Sequence, residues 1–137
     1  MRTIVASHWH DDHVRGISRL SARYKDAEFA VSAVLNDGEA AAFLAAYSGV
    51  VSSQLSRGTR ELYDVIRDRE VVHPALHKSI ILDITLCGRR VMVTALSPLP
   101  GAFAQFIAHA SQYQVQADGP INHAPDLRPN TEAVALH

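Results

Sequence analysis

Cysteine is nearly absent from the chain, with Cys87 as its one example. A single thiol excludes an internal disulfide framework and a zinc site built from cysteines. A reducing, cytoplasmic setting is the expectation. Long apolar runs are missing as well. None approaches the roughly 20 residues that span a bilayer, so no membrane partner is expected. The opening Met-Arg-Thr-Ile-Val-Ala-Ser is too short for the apolar region of a signal peptide. Nor is there an excess of one charge. Thirteen Lys and Arg stand against 14 Asp and Glu, for a net charge of −1. Nothing global therefore points to nucleic acid or an anionic membrane, although a local basic groove stays open.

What remains is an ordinary globular mix, 47% hydrophobic and 20% charged over 137 residues. That length fits one domain, residues 1–137, with a real core. Histidine is the unusual count. The chain has eight, and three of them fall between His8 and His13.

Thr3 to Ser7 is short, apolar and β-branched at its centre, and reads as a buried strand. Asp11 or Asp12 can cap a helix from about His13 to Tyr24, with Val14, Ile17 and Leu20 on one face. Glu28 to Val34 reads as a second strand. Asn36-Asp37-Gly38 ends it, and Asp37 can cap an Ala-rich helix with Phe43, Leu44, Tyr47 and Val51 inward. Ser52 to Gly58 is a polar break. A helix from about Thr59 to Arg69 follows, burying Leu62, Val65 and Ile66. The pattern turns to β from Val71. Ser79 to Leu86 and Arg90 to Leu96 flank Cys87-Gly88-Arg89-Arg90 as a hairpin. Phe103, Phe106, Ile107 and Ala110 mark a helix, Gln116 to Pro129 a loop, and Thr131 to Leu136 a last strand. Alternating strands and helices imply an α/β fold.

The chemistry concentrates in His8-Trp9-His10-Asp11-Asp12-His13. His8 and His10, two apart on an extended segment, point the same way and can share one ion. Asp12 and His13 sit at the turn into the helix and can face a neighbouring ion. Imidazole and carboxylate suit zinc, and also manganese or iron. Two adjacent ions would generate a hydroxide nucleophile and clamp both oxygens of a displacement. A lone His is usually a surface residue. Four ligand-type residues within six positions, after a β-run and before a helix, are much harder to obtain by chance.

Ser7-His8-Trp9-His10-Asp11-Asp12-His13-Val14-Arg15-Gly16 resembles the His-x-His-x-Asp-His…Gly signature of the metallo-β-lactamase fold superfamily. By that resemblance His8 and His10 belong to a first metal site, and Asp12 and His13 to a second. Asp12 is also the candidate catalytic residue, and Gly16 matches a small residue where the helix packs closely. Arg89 to Pro98 and Pro129 to Leu136 resemble the branch containing DNA-uptake competence proteins, with Asn130 matching an Asn that opens a strand. The implied fold is part of an αββα sandwich, lacking the N-terminal strands and the C-terminal half. The implied activity is metal-dependent hydrolysis, one or two zinc ions presenting a hydroxide to an ester or phosphodiester, as in a nuclease.

The chain departs from that pattern. Ser97 stands near the expected third His of the first site, and a bridging Asp is missing. His73, His77, His109 and His123 fit surface positions better, with His123 in reserve on its loop. Gly49 and Gly58 make no phosphate loop. Arg57, Arg60, Arg67 and Arg69 suit a solvated helix face balanced by Glu61, Asp64, Asp68 and Glu70, with a nucleic-acid surface as the lesser reading. A second expectation is therefore a degenerate, non-catalytic domain completed by a partner. Its exposed sheet edges would favour a homo-oligomer or a larger assembly.

Overall fold

A computed structural model describes residues 1–36, 57–114 and 133–137. The chain is mixed α/β. Strand β1 (Thr3–Ala6) leads through α1 (Asp11–Val14) and α2 (Ile17–Arg23) to β2 (Glu28–Ser32) and a 3-10 turn at Ala33–Asn36. Helix α3 (Arg57–Asp68) precedes β3 (His73–Ala75), the hairpin β4 (Ile80–Leu86) and β5 (Arg89–Thr94), and helix α4 (Pro100–Gln114).

β1, β2 and β3 form a parallel sheet in that order. Its two faces serve different partners, because side chains alternate along a strand. Ile4, Ala6, Phe29 and Val31 face the helices, where they bury Val14, Ile17, Leu62, Val65 and Phe106. Val5 and Ala30 face the other way, onto Ile81, Val93, Ala95 and Val134. The order is therefore helices, parallel sheet, then the β4–β5 layer. Apolar burial on both faces explains why β1 and β2 read as near-continuous apolar runs rather than as alternating ones.

The hairpin turns on two residues with positive φ, Cys87 at 51° and Gly88 at 77°. Such a turn matches the twist of the flanking strands. The register slips between Ile80 and Leu82. Ile81 is the extra residue, and it is buried between the layers. The last residues run beside β5. Thr94 N–H donates to the His137 carbonyl and His137 N–H donates to Thr94, at 2.8 and 2.9 Å.

Several expectations shift. The first helix starts at Asp11 and breaks after Val14, because Gly16 takes φ 89° and caps α2 instead. Asp11 and Asp12 thus lie within α1 and not ahead of it. The second strand ends at Ser32, where the chain tightens into the 3-10 turn. The Ala-rich helix, the Gln116 to Pro129 loop, His123 and Asn130 lie outside the described residues. Among the described residues, no helix is long and apolar enough to cross a membrane.

Candidate metal centre

The histidine motif occupies the carboxyl end of β1 and the first turn beyond it. β1 is anchored between β2 and the core, so its exit direction is set before His8. Ser7 is held on its other side by Val134, whose N–H donates to the Ser7 carbonyl at 3.1 Å. The His10 carbonyl then accepts from His13 and Val14 N–H, at 2.9 and 3.1 Å, which starts α1. That turn brings His13 back over the strand exit.

Three imidazoles meet there. The His8 ring lies 5.0 Å from that of His10 and 4.2 Å from that of His13, centroid to centroid. His13 Nε2 lies 3.5 Å from Asp12 Oδ2. His8 is buried, whereas His10, Asp12 and His13 are exposed. Between them Trp9 is driven inward and packs on Phe106, ring centroids 5.5 Å apart.

His8 is the unusual residue. Its Nδ1 lies 3.0 Å from Ser7 Oγ. Its Nε2 is buried and, among the described residues, has no hydrogen-bond partner, which is an uncommon state for a buried polar atom. Burial lowers the His8 pKa below the usual histidine value, and the neighbouring charges of His13 and His10 add to that. The ring is therefore held neutral. In the tautomer with Nδ1–H donating to Ser7 Oγ, Nε2 presents a lone pair, the form a metal ligand requires.

The donor set fits a zinc-type ion in its chemistry: three imidazoles and a carboxylate, one imidazole carrying an unsatisfied nitrogen. The side chains do not converge on one point. Among the described residues, no group of three or more His, Cys, Asp or Glu is arranged to hold a metal ion.

The other candidates lie elsewhere. His77 Nδ1 sits 2.9 Å from the Leu96 carbonyl. His73 opens β3 and lines a cleft with Asp26 and Glu28, away from the strand ends that carry the motif. Ser97 is structural, its hydroxyl donating to the Ala133 carbonyl and accepting from Ala135 N–H.

Helix α3 is more than the solvated face its charges suggest. Arg67 does pair at the surface with Asp64 and Asp68. Arg69 instead reaches the Ala27 and Tyr24 carbonyls. Glu61 Oε2 accepts the Gly16 N–H at 2.8 Å, and Thr59 Oγ1 donates to the Trp9 carbonyl at 2.9 Å. No local sequence signal marks these contacts, because the partners lie 45 and 50 residues away. Comparison with known proteins finds no matching family model, no matching curated protein and no matching solved structure.

Proposed function

We propose that the chain is a metal-dependent hydrolase of metallo-β-lactamase type, acting on an ester or a phosphodiester. The observation that carries this reading is the buried, unpartnered Nε2 of His8 beneath the rings of His10 and His13. Two further features support it. The cluster lies at the carboxyl end of a parallel strand, where open α/β sheets place their ligands. A second β layer covers the sheet face opposite the helices, as half of an αββα sandwich would.

His8, His10, Asp12 and His13 would hold one or two zinc ions, with manganese or iron compatible with the same donors. When bound, such an ion polarises the substrate oxygen and acidifies water. The chain's own residues do the rest. Ser7 fixes the His8 ring, and Asp12 Oδ2, exposed beside His13, is the atom we assign to accept a proton.

The test is metal content. Protein purified under zinc supply should carry stoichiometric metal by mass spectrometry, and His10→Ala and Asp12→Ala should lose it. Hydrolysis of an aryl phosphodiester should disappear with the metal. Metal-free wild-type protein would sink the reading.

One observation favours a second reading, a non-catalytic module that pairs with another copy of itself. The hairpin and its flanks expose Ile80, Leu86, Met92, Leu96, Leu99 and Leu136. Exposed apolar residues grouped on a two-stranded sheet are typical of pairing surfaces. Light scattering across a wide concentration range decides it. A chain that stays monomeric throughout removes this reading.

A further inference from the structure

Among the described residues, two side chains from the first half of α3 hydrogen-bond to the backbone of the histidine loop and of the Gly16 break that follows it. Thr59 is buried, and its hydroxyl donates to the Trp9 carbonyl. Trp9 sits between His8 and His10, so this bond fixes the peptide plane that leads into His10. Glu61 receives the N–H of Gly16, the left-handed residue that separates α1 from α2. α1 carries Asp12 and His13. One anchor therefore holds the half of the motif with His8 and His10, and the other holds the half with Asp12 and His13.

A Thr near a helix start commonly caps its own helix. Here Thr59 is the third residue of α3, and its bond runs instead to a carbonyl 50 residues away. Glu61 lies two residues on. The intervening face of α3 is pressed into the core by Leu62 and Val65. The helix is thus a rigid back plate, fixed by its own burial, against which the loop is hung by two hydrogen bonds.

We infer that Thr59 and Glu61 are positioning residues of the metal centre, setting the spacing between its two pairs of ligands. This rests on the metal reading proposed above. Neither residue donates to a metal. Each holds backbone, and residues that orient metal ligands typically change affinity by about 10- to 100-fold when removed.

The experiment is zinc affinity by chelator competition on the full chain, with the fold of each variant checked by circular dichroism. Thr59→Val and Glu61→Leu remove the two bonds. Thr59→Ser and Glu61→Gln keep an atom able to make them. The expected result is about a tenfold loss of affinity in the first pair and recovery to near wild type in the second. Should Thr59→Val not fold, Glu61→Leu against Glu61→Gln carries the test by itself. Wild-type affinity in a folded Thr59→Val or Glu61→Leu chain overturns the inference while leaving the metal reading standing. Equal losses within each pair also overturn it. A wild-type chain that binds no zinc overturns both.

Discussion

Arg69 lies over the face of Phe29, its guanidinium carbon 5.0 Å from the ring centroid. The same group donates to the Ala27 carbonyl at 2.6 Å, the Tyr24 carbonyl at 3.3 Å and Ser21 Oγ at 3.0 Å. It thereby ties the end of α3 to the end of α2 and the start of β2. The Tyr24 carbonyl also accepts the Ala27 N–H at 3.1 Å, so Arg69 reinforces a turn that the backbone has already closed.

Arg69→Met should cost about 2 kcal/mol, the worth of charge-assisted hydrogen bonds left unmade. Arg69→Lys should recover only part of it, because one ammonium cannot fork to three acceptors and stack at once. Urea unfolding of the three chains checks the order. Equal stability of the Met and wild-type chains would show the contacts to be idle.

Gly16→Ala tests why a glycine stands there. Its φ is 89°, yet a Cβ there would meet no described residue within 4 Å. Left-handed strain is thus the whole expected cost, about 1–2 kcal/mol. The close helix packing implied by the family resemblance would cost several times more. Denaturant midpoints separate the two, and Gly16→Asn should lose less than Ala, since Asn tolerates this region.

Local chemistry made some elements legible in the sequence. The β-branched run before His8 became β1, Cys87-Gly88 became the hairpin turn, and the Phe103/Phe106/Ile107 spacing became the inward face of α4. The helix break was not legible as a break. Val14, Ile17 and Leu20 keep helical spacing across Gly16, and all three pack on the same core. Periodicity therefore ran straight through a conformational interruption. The candidate site was legible in its residues and not in its supports. His8, His10, Asp12 and His13 are neighbours in sequence, whereas Thr59 and Glu61 reach them only because α3 packs beside α1 and α2.

The hairpin carries a pH-dependent pair. Arg90 Nε and one terminal nitrogen donate to the two Asp83 oxygens, at 2.8 and 2.6 Å. That hydrogen bonding holds the Asp83 carboxyl below its ordinary 3.8. On unfolding, Asp83 returns to that ordinary value and takes up a proton more readily than in the fold. The pair's contribution is therefore complete above about pH 5 and is lost as pH falls through the carboxylate range. Both side chains are exposed, so the contribution is small. Wild type and Arg90→Met should differ in unfolding midpoint at neutral pH, and the difference should shrink as pH falls below 3.8 and close only once pH is below the depressed folded value. A difference that persists at low pH would assign it to the packing of the Arg stem.

Ser7→Ala isolates what orients His8. The ring is buried, with Ser7 Oγ at Nδ1 and, among the described residues, nothing at Nε2. With the hydroxyl present, the Nδ1–H tautomer is favoured, because it satisfies one nitrogen and leaves the other as a lone pair. Without it, neither nitrogen has a protein partner, and the Nε2–H tautomer, usually the more stable one in free imidazole side chains, becomes accessible. Nitrogen-detected NMR of the metal-free chain should find His8 protonated at Nδ1 in wild type and mixed in Ser7→Ala. Zinc affinity should fall about tenfold in the variant, and the unfolding midpoint should drop by an amount corresponding to about 1 kcal/mol, the cost of leaving a buried ring nitrogen unpaired. A wild-type ring protonated at Nε2 would contradict the assignment directly, since a buried N–H with no acceptor would then face the site that the metal is proposed to fill.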